Sequence, residues 1–229
     1  MQGKLIVFEG SDGSGKTTQV KRLGERFCQE KIVFREIDFP RYGNPFAEPA
    51  RLYLEGVLGE RPEVINPYAA SVLYAIDRYA SYYQDWGAFY EAGGLILANR
   101  YTTSNAVYQA SKLPEEQQNE FLHWLFELEY KRLRLPEPDL VIYLDLPTEL
   151  SHKMLLGRAR TSGSQLDIHE RDEKYLEICQ ENARRIAHDL NWSVLHCDDA
   201  KGHVRKMEEI HEEIWQHVNS CFDFTSFRG

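Results

Sequence analysis

Cysteine is scarce in this sequence, and the cysteines present do not pair by spacing. Cys28, Cys179, Cys197 and Cys221 form no Cys-x-x-Cys motif and lie beside no ligand-like histidine cluster. A disulfide framework is therefore not expected, and the four read as reduced cytosolic thiols. Long apolar runs are missing too. The start, Met1-Gln2-Gly3-Lys4, leads into Leu5 to Phe8, too short for a signal-peptide core, and nothing approaches the roughly 18 apolar residues of a membrane span. A cytoplasmic protein with no membrane partner is expected. Positive charge is in deficit: 27 Lys and Arg against 36 Asp and Glu leave a net charge of -9. A sequence-independent grip on nucleic acid is therefore not expected, and a phosphate ligand would need a local cluster of cations in a small-molecule pocket. Repeats, low-complexity tracts and linkers are also absent. With 42% apolar and 28% charged residues the composition is that of a globular protein, and residues 1–229 read as a single domain.

What is present alternates. Leu5-Ile6-Val7-Phe8-Glu9 reads as a buried strand, followed by a glycine-rich turn and a helix from about Lys16 to Gln29. A second strand near Ile32 to Asp38 enters a loop holding Pro40, Gly43, Pro45 and Pro49. A long helix is predicted from Pro67 to about Tyr90, where Val72, Ile76, Tyr79, Tyr83, Trp86 and Tyr90 recur at spacings of three and four and line one face. Further strands at Leu95–Ala98, Asp139–Asp145 and Ser193–Cys197 alternate with helices at about 114–132, 170–190 and up to Val218. Another helix, after Thr148, is expected to dissolve into the Gly/Ser-rich stretch Gly157–Ser164, whose composition suits a mobile loop. The result is an α/β fold with a parallel sheet covered on both faces.

Gly10-Ser11-Asp12-Gly13-Ser14-Gly15-Lys16-Thr17, followed by Thr18, matches G-x-x-x-x-G-K-[ST] in full and sits between a strand and a helix, the context this motif requires. Its glycines let successive backbone N–H groups converge on a phosphate at a helix N-terminus. Lys16 would reach the β- and γ-phosphates, and the Thr17 hydroxyl would bind Mg²⁺. The motif points to ATP or GTP and leaves the acceptor open. Downstream, Phe39-Pro40-Arg41 comes after the second strand at the edge where α/β ligands bind. Tyr74 and Arg78 are four apart on the long helix and share a face distinct from the apolar stripe. Asn99 to Gln109 comes directly after the third strand.

These features, in order, resemble the thymidylate kinases. The matching residues are the P-loop with a carboxylate inside it (Asp12), Phe39-Pro40-Arg41, and Leu73-Tyr74-Ala75-Ile76-Asp77-Arg78. To these belong an Asp-Arg-Tyr-like Asn99-Arg100-Tyr101 with its tail Ser104-Asn105-x-x-Tyr108, and the late Leu166, Asp167 and Glu170. The resemblance implies a three-layer P-loop NTPase fold with a five-stranded parallel sheet, and transfer of the γ-phosphoryl group of ATP to dTMP with Mg²⁺. It implies that Asp12 binds the acceptor's 3′-hydroxyl, that Arg41 and Arg78, beside Phe39, hold its phosphate, and that Tyr74 stacks on thymine. Ser104 and Asn105 would meet the base edge, Tyr108 would pack under the sugar, and Arg100 would lie between the two phosphates. Arg158 and Arg160 would be lid arginines in a lid at about 157–170, Glu170 and Asp167 would fall near Mg²⁺, and the protein would be a homodimer. Plain structural readings stand beside these: Arg41 and Arg78 as surface cations, Tyr74 as core, Arg158 and Arg160 as solvated, Asp167 and Glu170 as a helix N-terminal charge pair.

One residue departs from the pattern. Where the family usually has Asp before the Arg, this sequence has Asn99. The acceptor phosphate has its second pKa near 6 and is already largely anionic at neutral pH, so no base is needed to activate it. An active enzyme with altered metal dependence is expected. Two alternatives remain open. A deoxynucleoside kinase would need a base near the second strand, such as Glu36 or Asp38; a catalytically silent nucleotide-binding regulator would explain Asn99 as decay. A nucleotide-driven switch or transporter ATPase lacks any partner-coupling segment.

Overall fold

The structure, a computed structural model, describes residues 3–163 and 165–228. Five strands, β1 (Lys4–Gly10), β2 (Phe34–Asp38), β3 (Leu95–Asn99), β4 (Leu140–Asp145) and β5 (Ser193–His196), form one sheet in the order β2-β3-β1-β4-β5. Every pairing is parallel. Because side chains alternate across a strand, each central strand feeds two cores. Leu5, Val7, Ile96, Ala98, Val141 and Tyr143 enter one core; Ile6, Phe8, Leu95, Leu97, Ile142 and Leu144 enter the other. The unbroken apolar runs of the sequence are thus strands buried on both faces.

Helices α1 (Lys16–Gln29) and α9 (Met207–Cys221) cover the second core through Val20, Leu23, Phe27, Ile210, Ile214 and Val218. Helices α5 (Thr102–Tyr108), α6 (Glu115–Phe126) and α8 (Glu173–Asp189) cover the first. The turn between β1 and α1 is tight. Gly13 has φ +89°, and a Cβ there would lie 2.3 Å from the Ser151 carbonyl of α7 (Thr148–Ser162). Only glycine satisfies both the left-handed backbone and the close approach of α7.

Several boundaries differ from expectation. The loop predicted after β2 contains a 3₁₀ turn at Pro45–Ala47 and helix α2 (Glu48–Leu54). The long helix is α3 (Pro67–Ser81), a π-helical segment Tyr82–Trp86 and α4 (Gly87–Glu91). The extra residue in the π turn rotates α4 about the helix axis relative to α3, so the apolar stripe splits: Val72, Ile76, Tyr79 and Tyr83 are exposed, while Trp86 and Tyr90 are buried. The expected mobile loop is mostly helix. α7 runs through Gly157, Arg158 and Arg160 to Ser162, with Gly163 as its left-handed C-cap. Composition misled here because arginine and alanine are good helix formers and outweigh one internal glycine. Ser164 lies outside the described residues, as do Met1, Gln2 and Gly229. α8 begins at Glu173 behind the cap Asp172, three residues later than predicted, so Asp167 and Glu170 are not its first-turn charges.

The phenylalanine-rich tail docks. Phe224 is buried, 5.4 Å from the Phe27 ring and stacked at 6.3 Å on Trp215. The Val33 N–H donates to the Phe227 carbonyl at 2.7 Å. The segment thereby closes the second core beneath α1 and α9.

Candidate active site

The carboxyl ends of β1, β2 and β3 open into one cleft, where α/β folds place ligands. Its walls are Asp12 from the P-loop, Asp38 to Pro40 and Tyr42 after β2, Leu54, Tyr74 and Arg78 from the helices, Asn99 to Tyr101 after β3, and Ser104, Asn105, Tyr108 and Gln109 on α5. Arg158, Asp167, His169 and Glu170 close the far side. Residues expected from four separate stretches of sequence therefore meet in one place.

Arg100 is the centre of the cleft. Its backbone is left-handed, φ 65°, a sparsely populated state for a residue with a side chain and one that clusters at functional sites. One guanidinium nitrogen donates to Asp12 Oδ1 at 2.7 Å and another to Ser104 Oγ at 3.2 Å. The guanidinium also lies over the Tyr108 ring at 5.3 Å. Burial opposes ionisation of Asp12, but Arg100 and then Lys16 hold its carboxyl far below the usual range. Lys16 donates to the Ser11 carbonyl at 2.8 Å and lies 3.6 Å from Asp12; burial and the neighbouring Arg100 charge pull its amine down to about 8. Thr17 and Thr18 are exposed at the start of α1.

The other expected residues divide. Tyr74 lines the cleft edge-to-face with Tyr53, ring centres 6.0 Å apart. Arg78 also lines it but is no surface cation: it is 1% exposed, and two of its nitrogens bind Glu129 at 2.5 and 2.6 Å. Ser104 donates to Glu9 at 2.9 Å, and Asn105 donates its amide to the Ser71 carbonyl at 3.2 Å. Tyr108 stacks on His169, centres 5.3 Å apart and planes 13° from parallel. Arg158 reaches Glu170 at 3.3 Å. Arg41 is not brought to the cleft wall; Asp77 grips its backbone N–H and its side chain, both at 2.8 Å, and Asp85 takes another nitrogen at 2.5 Å. Arg160 is exposed on a different surface of α7, among Glu149, His152, Lys153 and Leu156. Two positions separate it from Arg158, which turns it to the other side of the helix.

Residues that the family resemblance does not imply also stand there, among them Asp38, which the sequence offers only as the base of a nucleoside kinase. Glu9, 1% exposed, accepts from Thr103 at 2.5 Å and from the Tyr101 N–H at 3.3 Å as well as from Ser104, tying the turn after β3 to β1. Asp38 and Glu9 share a readable signal: each is a carboxylate at the carboxyl end of a strand in a parallel sheet. His169 gave no such signal. It is buried, its ring accepts from or donates to the Tyr53 hydroxyl at 2.7 Å, and burial together with the Lys112 charge lowers its pKa to about 3, so it acts as a neutral stacking surface.

Comparison with known proteins agrees with this geometry. The family profile described as Thymidylate kinase matches residues 8–214. A thymidylate kinase of Mycobacterium tuberculosis is 34% identical over 170 residues, covering 73% of this chain and 78% of the relative. One from Cyanothece sp. is 29% identical over 231 residues, covering 94% and 97%. A solved thymidylate kinase from Candida albicans superposes with a TM-score of 0.68 at 19% identity, over 96% of this chain and 92% of that one, a likeness of fold. Among the described residues no helix is long and apolar enough to cross a membrane. With a profile match across most of its length and a P-loop facing an aromatic, arginine-centred cleft, the chain belongs to the thymidylate kinase family.

Proposed function

We infer that the chain transfers the γ-phosphoryl group of ATP to dTMP, giving ADP and dTDP. The observation that carries this is the shared cleft. The P-loop carboxylate Asp12 and the strained Arg100 are hydrogen-bonded in it, Ser104 and Tyr108 stand against the same guanidinium, and Tyr74 and Asn105 on the same walls complete the aromatic and amide surfaces for a base and sugar. In this reading the P-loop N–H groups and Lys16 hold the donor phosphates. Arg100 lies between donor and acceptor, where charge spreads in the transition state. The acceptor phosphate attacks already ionised, so the site needs positioning and charge and no general base. Arg78, neutralised by Glu129, offers the acceptor phosphate a directed N–H more than a free charge. Arg41 acts through Asp77 to set the loop after β2.

Mg²⁺ accompanies the nucleotide in this reading. Thr17, exposed at the head of α1, and Glu170, across the cleft, supply oxygen donors, which suit this hard cation. The buried Asn99 Oδ1 beside Thr17 has no hydrogen-bond partner among the described residues. No group of three or more acidic, histidine or cysteine side chains among the described residues could hold a metal, which suits an ion whose shell is completed by phosphates and water. Bound there, it would neutralise charge on the β- and γ-phosphates.

We read residues 1–229 as one working domain in the cytoplasm, where four free cysteines are at home. We further place a homodimer contact on the back of α3 and the π turn that continues it, where Val72, Ile76, Tyr79 and Tyr83 stand exposed, opposite the face that carries Tyr74 and Arg78. A coupled ADP-release assay with ATP and Mg²⁺, run against dTMP, dUMP, dGMP and thymidine, tests the reaction. Fast turnover on dTMP with thymidine inert is the expected result. Turnover on thymidine alone would make this a nucleoside kinase, and silence on all four despite ATP binding would make it a regulator.

A further inference from the structure

Asn99 is the one departure from the motif, and it stands among groups that bind metal or phosphate. In the sheet register it faces Phe8 of β1 on one side and Asp38 of β2 on the other. Asn99 is 6% exposed and donates Nδ2 to Thr17 Oγ1 at 3.3 Å. Asp38 is its register partner on β2, so the two side chains leave the same face of the sheet side by side. Asn99 Oδ1 is buried without a partner among the described residues, and both residues line the cleft. The amide therefore stands between the P-loop hydroxyl, which it bonds, and the carboxylate one strand away, which it adjoins.

P-loop enzymes hold Mg²⁺ with the P-loop Ser or Thr and an Asp at a neighbouring strand end. Of the two strands that adjoin β1, β4 ends in Asp145, which is held by Arg184 at 2.9 Å and is not part of the cleft wall. The other, β3, ends in an amide on the cleft, and the strand beyond it, β2, ends in an acid there. Register partners on adjacent strands lie about 4.8 Å apart, so two carboxylates there would repel and raise each other's pKa. An amide and a carboxylate avoid that conflict, because the amide carries no charge.

We propose that Asp38 supplies the strand-end carboxylate of the nucleotide–metal site, displaced by one strand and acting beside the Glu170 donor across the cleft, and that Asn99, bonded to Thr17 and next to Asp38 in register, is the positioning residue between them. The proposal deepens the functional reading above, since it assumes ATP at the P-loop. It does not depend on which acceptor is used. It also accounts for a working site at a position where loss of the acid alone would suggest decay.

The test measures Mn²⁺ affinity of the protein–ATP complex by electron paramagnetic resonance, without acceptor, beside the affinity for metal-free ATP in EDTA. Asp38→Asn is expected to weaken Mn²⁺ binding about tenfold or more, while metal-free ATP binds as well or better, because a negative charge facing the phosphates is gone. The exchange variant Asp38→Asn/Asn99→Asp should recover most of the Mn²⁺ affinity, since it returns one carboxylate and one amide to the same pair. Asp38 is accessible at the cleft, and a thermal melt of each variant separates misfolding from metal loss. Mn²⁺ affinity within twofold of the parent in Asp38→Asn would overturn the proposal. So would an exchange variant that folds yet stays as weak as the single one. If the acceptor assay fails while these results hold, the choice of acceptor falls and the metal assignment stands.

Discussion

Arg100 and Lys112 show two ways in which a cation is held in this protein. Arg100 is kept charged by Asp12 and Glu9, and its left-handed backbone keeps it aimed into the cleft. Arg100→Ala should lower kcat roughly 10³-fold, the scale of an arginine that meets transition-state charge, with the ATP KM changed far less. A loss below tenfold in steady-state kinetics would remove it from the reaction. Lys112 has no carboxylate within hydrogen-bonding distance among the described residues. It donates to the Tyr53 hydroxyl at 2.8 Å and to the Ile65 carbonyl at 3.3 Å, and burial lowers its amine to about 7. The unfolded chain, with an ordinary lysine, binds this proton more tightly than the folded one between about pH 7 and 10. Lys112 therefore weakens the fold fully at pH 7 and below, and that penalty lifts as pH rises. Lys112→Met should remove this pH dependence, raising stability at pH 7 by up to about 2 kcal/mol. Denaturant unfolding at pH 7 and pH 9 would show it, and an unchanged slope between the two would count against it.

The elements that carry the site are positioned by packing that the motifs do not mention. α7 abuts the P-loop at Gly13, so the helix bearing Arg158 and the phosphate loop are one packed unit. The C-terminal 3₁₀ turn at Phe224–Phe227 is part of the other core, far from the cleft. Phe224→Ala should cost about 3 kcal/mol in denaturant unfolding, as for other buried aromatic truncations, and leave the KM for both substrates unchanged. A shift in KM would mean that the tail reaches the site through α1. At this level the sequence was most readable where period and caps agreed, as in α1 and the strands. It was least readable at Gly157–Ser162, where composition suggested a loop and local helix propensity prevailed, and at the π turn after α3, which no periodicity announces.

For the molecule as a whole, α3 faces two ways. Tyr74 and Arg78 look into the cleft, and Val72, Ile76 and Tyr79, followed by Tyr83 in the π turn, look outward. Three exposed apolar residues on α3 and a fourth in the π turn after it exceed the scattered singles expected on a monomer surface. A homodimer across this face would brace the helix that carries the base and phosphate contacts. Ile76→Asp/Tyr79→Asp should convert the dimer to monomer in sedimentation velocity and raise the dTMP KM more than the ATP KM. A parent protein that sediments as a monomer at micromolar concentration would sink the dimer.

The P-loop, the alternation of strands and helices, and the order of the family motifs were all legible in the sequence, because each depends on residues close together in the chain. Tertiary contact settled the rest. Arg41 and Arg78 look alike as sequence, but Asp77 draws one out of the cleft and Glu129 neutralises the other inside it. Arg158 and Arg160 are two residues apart, and the helical turn sends only Arg158 to the cleft. Asn99 reads as a lost carboxylate until the sheet register sets it beside Asp38. Charge partners and strand neighbours are chosen by residues tens of positions away, and no local pattern encodes that choice.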